Sequence, residues 1–103
     1  MVQVLSRNAI PIRLTDERWH HIRRRHPEMS TLKEWILDTL SEPDMIQEGD
    51  FGELLGIRFY QQTPLTSKYL IVVYREVHSE DGFVLTAYLA RRHSANRKVI
   101  WKR

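Results

Sequence analysis

Residues 18–28 (RWHHIRRRHPE) concentrate the side chains of this chain that can exchange protons and bind anions. The segment contains three of the five histidines and four of the sixteen lysines and arginines. Imidazole titrates near neutral pH and can act as general acid or base, and guanidinium binds phosphate through paired hydrogen bonds. Three interpretations follow: a solvated helix face, a metal site, or the acid–base and phosphate-binding groups of an enzyme.

On a helical wheel these side chains divide into separate groups. The core-facing stripe ends at His26. A polar stripe contains Arg18, His21 and Arg25. His20 falls on the far side and is expected to face solvent. We therefore expect His21 and Arg25 to address one ligand, and His26 to lie at the buried end of the helix.

A metal centre is not indicated by this pattern. Metal sites need two or more ligands on one face, whereas His21 shares its stripe with arginines, which are not ligands. No HExxH motif, paired-acid motif or phosphate-binding glycine loop occurs. Cysteine is absent, and no serine lies in a glycine-flanked elbow. The sequence therefore predicts no metal and no cofactor.

The order of elements predicts one α+β domain over residues 1–103. Thr15 and the acids after it are typical of a helix start, Pro27 ends that helix near His26, and Thr31 begins a capping box. The predicted helices cover 16–26 and 31–40, and the predicted strands cover 45–48, 54–62, 69–77, 83–90 and 98–102. We therefore expect two N-terminal helices packed on one face of a four- to five-stranded antiparallel sheet.

Alternation along two predicted strands assigns side chains to the sheet faces. In strand 54–62 one face carries Leu55, Ile57 and Phe59, and in strand 83–90 Leu85, Ala87 and Leu89 share one face while Val84 lies with Thr86 and Tyr88. The aliphatic faces are expected to meet the helices. The alternate positions would lie together on the opposite face, which is left for function: Arg58, Tyr60, Thr86 and Tyr88.

Positive charge is concentrated at the two ends of the chain. Residues 1–30 carry six arginines and three acids, residues 31–53 one lysine and seven acids, and residues 82–103 six lysines or arginines and no acid. If the basic ends meet in the fold, they form a patch suited to a polyanion. The alternative is ordinary solvated charge.

Composition also bears on location. The absence of cysteine is compatible with a reducing compartment. No apolar run approaches the roughly 18 residues that a membrane span needs, and the N-terminus lacks the pattern of a secretory signal. These features predict a cytoplasmic protein without membrane association.

Two motifs connect these residues with a known family. His21-Ile22-x-x-Arg25-His26-Pro27-Glu28 and Thr86-Ala87-Tyr88 resemble the small bacterial and phage ribonuclease domains grouped as barnase/EndoU/colicin/RelE-like, or BECR-fold, and the resemblance covers roughly residues 10–102. It implies a two-helix-plus-antiparallel-sheet fold and metal-independent ribonuclease activity, often as a toxin. It also implies that His21, Arg25, Thr86 and Tyr88 line the cleft. His26 matches the motif too, and the pattern leaves open which histidine is the base.

The sequence therefore favours a toxin-like endoribonuclease that cleaves tRNA or mRNA through attack of the 2′-hydroxyl. The catalytic candidates are His21, Arg25, His26, Thr86 and Tyr88, and the substrate-binding candidates are Arg18, Arg58, Tyr60, Arg91, Arg92 and His93. A toxin would have an acidic cognate inhibitor or antitoxin. Two alternatives stay open: a non-catalytic nucleic-acid-binding module, and a phage or immunity-type interaction domain that uses the acidic residues between 34 and 53.

Overall fold

The structure, a computed structural model, describes residues 1–103. It consists of a seven-stranded mixed sheet and two α-helices. The helices are α1 (Asp16–Arg25) and α2 (Lys33–Ser41), joined through a 3₁₀ turn at Pro27–Met29. The strands are β1 (Val2–Leu5), β2 (Pro11–Leu14), β3 (Met45–Glu48), β4 (Leu54–Tyr60), β5 (Lys68–His78), β6 (Asp81–Ala90) and β7 (Val99–Lys102). Their order in the sheet is β1-β2-β6-β5-β4-β3-β7. Neither helix has the length and apolarity required to cross a bilayer.

The predicted four- to five-stranded antiparallel sheet behind two N-terminal helices is wrong. β1 and β2 precede the helices and pair antiparallel with each other, and β2 adds parallel to β6, with Ile12 opposite Gly82. Each of these strands has only four residues, but β3 and β7 are equally short and were predicted, so length alone does not explain the omission. The pairing of β2 with β6 joins residues far apart in the sequence, which a local pattern does not report.

The parallel pairing of β2 determines where α1 lies. The Thr15 hydroxyl accepts a hydrogen bond from the Arg18 backbone N–H at 3.1 Å, which caps the helix directly after β2. α1 packs against β6 and ends at Arg25. His26 leaves the helical conformation with φ −132° and ψ 78°, as expected before Pro27. Because α1 and the 3₁₀ turn after it both pack against β6, the C-terminal end of α1 lies next to the later part of β6.

Apolar clusters lie on both faces of the sheet. The larger one joins α1 and α2 to the sheet and includes Ile22 and Ile36. The second contains Leu55, Ile57 and Ile71, and no residue of either helix belongs to it. We call the sheet face that carries this second cluster the open face.

The faces predicted for β4 are reversed in the structure. Tyr60 stacks on Trp35 of α2, with ring centroids 4.1 Å apart and planes within 5°, and the Arg58 side chain donates to the Glu42 carbonyl at 3.3 Å. Both therefore lie on the helix face, while Leu55 and Ile57 of β4 pack on the open face. Since both faces of β4 carry apolar contacts, alternation shows that two faces exist but not which one meets the helices.

A β-bulge changes the face assignment along β6. Thr86 is opposite Val73 and Val84 is opposite Tyr74, so Leu85 is the additional residue in β6. Val84 consequently packs with the helices, whereas Thr86 lies on the open face, where Val73 packs. Strict alternation had grouped Val84 with Thr86.

The connection from β6 to β7 crosses the open face. Because β5, β4 and β3 lie between these two strands, residues 91–98 must pass over three strands. The buried Gln47 side chain donates to the Ser94 carbonyl at 2.7 Å, and the His93 ring contacts the edge of Tyr69 with centroids 5.1 Å apart. These contacts hold the basic C-terminal segment against the open face.

Candidate functional site

His26, directly after α1, contacts Tyr88 of β6. Their ring centroids are 5.7 Å apart and their planes are inclined by 33°. Tyr88 packs on the open face, and β2 pairs with β6 only at Gly82 and Phe83. The later part of β6 therefore has a free edge, and the two rings meet at that edge. This contact brings an imidazole ring and a phenol ring together.

Glu28 completes the group from the 3₁₀ turn. Its Oε2 lies 3.8 Å from His26 Nδ1, and the side chains of His26 and Glu28 are 34% and 18% exposed. When the imidazole is protonated, a carboxylate at this distance forms an ion pair with it. The carboxylate thereby favours one orientation of the ring. Partial burial shields the pair from bulk water while leaving the ring accessible to a ligand. We call His26, Glu28 and Tyr88 the edge triad.

His21, which the sequence placed on the polar stripe, has different surroundings. It is half-buried and lines a shallow groove with Thr15, Glu17 and Arg18. Partial removal from water lowers the pKa of His21 below its ordinary value of 6.5. The positive charges of Arg18, Arg24 and Arg25, and of His26 when it is protonated, add to this effect. The neutral ring is therefore favoured, and the His21 ring does not contact Tyr88.

This lowered pKa predicts an acid-sensitive contribution of His21 to stability. In the unfolded chain this ring titrates with a pKa of about 6.5, whereas in the folded chain its pKa is lower. As the pH falls through this window, the unfolded state therefore binds more protons than the folded state, and the free energy of unfolding decreases. We expect the Tm of the wild type to fall between about pH 7.5 and about pH 5.5, and that of His21→Gln to fall less. Thermal unfolding followed by circular dichroism measures both.

His20→Gln provides the matched control, because it removes an exposed imidazole from the same helix. Its Tm should follow the wild-type pH dependence. Equal losses of Tm in His21→Gln and wild type would contradict the placement of His21 among the arginines of α1.

The other predicted catalytic residues lie beside the edge triad rather than within it. Arg25 is exposed and precedes His26, and Thr86 lies two residues before Tyr88 on the open face. Arg18, which was predicted to bind substrate, is half-buried near the start of α1, in the groove with His21. The structure thus separates the expected single cluster into an edge triad and a second group toward the N-terminus of α1.

The predicted substrate-binding residues fall on opposite faces. Arg58 and Tyr60 pack under α2, on the far side of the sheet from Tyr88. Arg91 and Arg92 are exposed and form no ion pair. They follow Tyr88 by three and four residues, so their backbones lie within about 10–13 Å of it. These two arginines, and not Arg58, can supply positive charge next to the triad.

Sequence reasoning missed one residue of the triad and the aromatic residues beside it. Glu28 was part of the quoted motif but had no role, although a carboxylate two residues after a histidine across a proline turn is a local signal. Tyr69 and Phe59 lie on the open face with their ring centroids 5.1 Å apart. Phe59 had been grouped with the helix-facing positions because it is apolar.

The edge triad can exchange protons and is flanked by free cations, which is what cleavage of a phosphodiester requires. Its geometry comes from three different elements: the end of α1, the 3₁₀ turn and the bulged strand β6. No protein-family model, no curated protein and no solved structure matches this chain.

Proposed function

We propose that this protein is a metal-independent endoribonuclease that cleaves RNA through attack of the substrate's own 2′-hydroxyl. The observation that carries the proposal is the contact between His26 and Tyr88 at the free edge of β6. Glu28 beside the imidazole and the unpaired arginines after β6 support it. The resemblance of the two motifs to BECR-fold ribonucleases points to the same reaction.

The reaction needs one group that accepts a proton and one that donates it. His26 takes the proton of the 2′-hydroxyl, whose oxygen attacks the adjacent phosphorus. Tyr88 gives its hydroxyl proton to the 5′-oxygen as the phosphorus–oxygen bond breaks. The products are a 2′,3′-cyclic phosphate and a free 5′-hydroxyl, and the imidazolium then returns its proton to the phenolate. The proximity of the two rings makes this return short.

The remaining groups stabilise charge and orientation. Negative charge grows on the phosphate oxygens in the transition state, where guanidinium groups and hydroxyl donors stabilise it. Arg25, directly before His26, and Arg91 and Arg92, shortly after Tyr88, are exposed cations close to the triad along the chain, and Thr86 presents a hydroxyl on the same face as Tyr88. Glu28 holds the imidazole in position and stabilises the imidazolium once it forms.

The substrate of this proposal is a cellular tRNA or mRNA, which places the activity in the cytoplasm. The lack of cysteine suits that reducing compartment. A free ribonuclease in the cytoplasm threatens its own cell, so we also propose an acidic cognate inhibitor that covers the basic C-terminal segment and the triad.

Incubation with tRNA and with mRNA in the presence of EDTA tests the proposal. We expect cleavage to persist without divalent ions and to leave 2′,3′-cyclic phosphate ends, which can be mapped by end-specific ligation. RNA that is bound but recovered intact, with an affinity that falls steeply with salt, would favour the non-catalytic binding module instead. Cleavage that stops in EDTA would contradict the metal-independent mechanism.

A further inference from the structure

Three aromatic rings lie together on the open face beside the edge triad. Tyr69 of β5 is the central one, with Phe59 of β4 at 5.1 Å and an angle of 64°, and His93 at 5.1 Å and an angle of 85°. Phe59 is 46% exposed, which is unusual for a phenylalanine in the middle strands of a sheet. We call these three residues the aromatic strip.

The register connects the aromatic strip to the triad. Tyr88 is opposite Ile71, Ala90 is opposite Tyr69, and Tyr69 is opposite Phe59. Tyr88 and Tyr69 are therefore diagonal neighbours on one face, with Cα atoms about 7–8 Å apart. Phe59 lies one strand further, so the rings from Tyr88 to Phe59 cross three strands, a width of about 10 Å.

Positive charge runs along the same path. Residues 91–98 leave β6 beside Tyr88 and cross the open face, and they contain no acid. Arg97 is paired with Asp50 at 2.9 Å, whereas Arg91 and Arg92 are exposed and unpaired. Phe59 is exposed, and Tyr69, Tyr88 and His93 are half-buried. A row of accessible rings bordered by unpaired cations is the arrangement with which proteins bind single-stranded nucleic acid, because bases stack on the rings while the backbone follows the charges.

We infer that Phe59, Tyr69 and His93 form a base-stacking subsite, and that the RNA substrate is single-stranded at the site of cleavage; as a statement about substrate, this rests on the proposed function. Bases in a duplex are stacked on one another and cannot present a face to a side chain. An unpaired strand with its scissile phosphate at the edge triad can place a neighbouring base against the exposed ring of Phe59. The subsite reads the face of a base and so tolerates different sequences.

Binding of short 2′-O-methyl RNA tests this inference, because such an oligonucleotide has no free 2′-hydroxyl and is not cleaved. Affinity is measured by fluorescence anisotropy for a single strand and for the same strand in a duplex. We expect the single strand to bind more tightly. We expect Phe59→Ala to weaken single-strand binding by about 5- to 150-fold, the effect of losing one stacked base, and to leave duplex binding unchanged.

Two further variants make the outcome specific. Phe59→Tyr keeps an aromatic ring and should bind the single strand within about 2-fold of wild type, since stacking depends on the ring face. Phe51→Ala removes an equally large ring that is 78% exposed in the turn between β3 and β4, at the other end of β4, and should change nothing. Circular dichroism confirms that each variant is folded.

The result separates the inference from the proposed function. Equal affinity for strand and duplex, or unchanged binding in Phe59→Ala, overturns the stacking subsite even if wild-type protein cleaves RNA. Loss of single-strand binding in Phe59→Ala, with no cleavage of natural RNA by wild type, keeps the subsite and overturns the nuclease.

Discussion

Replacement of His26 by glutamine is expected to lower kcat/KM for RNA cleavage by at least about 100-fold, the usual contribution of a positioned general base. Glutamine keeps a polar side chain of similar length at the end of α1 but cannot accept a proton at neutral pH. His20→Gln on the exposed side of α1 is the matched control and should retain wild-type activity. The measurement is the initial rate on a fluorescent oligonucleotide at substrate concentrations below KM.

The partner ring gives an independent test of the same contact. Tyr88→Phe removes only the hydroxyl, so packing against Ile71 and the other open-face residues is retained. Without this hydroxyl, Tyr88 can give neither a hydrogen bond nor a proton to the 5′-oxygen on which charge develops. We expect kcat/KM to fall by about 10- to 100-fold. If His26→Gln and Tyr88→Phe cleave RNA as fast as wild type, the edge triad is not the catalytic centre. A loss confined to His21→Gln would place the chemistry in the groove of α1.

Leu14→Ala is expected to lower the free energy of unfolding by about 2–5 kcal/mol, a large part of the stability of a small domain. Leu14 is 1% exposed and packs with the main cluster between the helices and the sheet. It belongs to β2, which holds the first part of β6 by parallel pairing. The substitution leaves a cavity where β2, α1 and β6 meet. The positions of His26 and Tyr88 therefore depend on the packing of the Leu14 side chain.

Leu5→Ala is the matched control for this substitution. Leu5 is the last residue of β1 and is 54% exposed, so its truncation should change the free energy of unfolding by less than about 0.5 kcal/mol. Urea denaturation followed by tryptophan fluorescence measures both variants. Similar small effects at the two positions would show that the N-terminal strands do not belong to the cooperative core.

Local chemistry allowed much of the secondary structure to be predicted. The Thr15 cap and Pro27 place the ends of α1 within a residue of where the structure has them, and the β-branched and aromatic run of β5 identifies a central strand. These signals act between neighbours in the sequence: a hydroxyl bonds to a backbone N–H three residues later, and a proline restricts the residue before it. They can therefore be read without the fold.

The residue types of the site could also be named from the sequence, but not their grouping. His26 and Tyr88 were both candidates, yet the helical wheel favoured His21 as the histidine of the cleft. A wheel describes the directions of side chains within a helix. His26 is the residue at which the helix ends, and its non-helical backbone turns the ring toward β6. Arg58 and Tyr60 were grouped with Tyr88 for a similar reason, because alternation does not say which face is covered.

The sequence by itself thus determined the helices, the later strands, the basic ends and the proton-exchanging residue types, all of which follow from interactions between near neighbours. The tertiary structure alone decided that β2 pairs in parallel with β6, that a bulge at Leu85 puts Val84 on the helix face while Thr86 and Tyr88 lie on the open face, and that residues 91–98 cross the open face. Each of these depends on contacts between residues far apart in the chain. Such contacts are selected by how well whole elements pack, which no short stretch of sequence records.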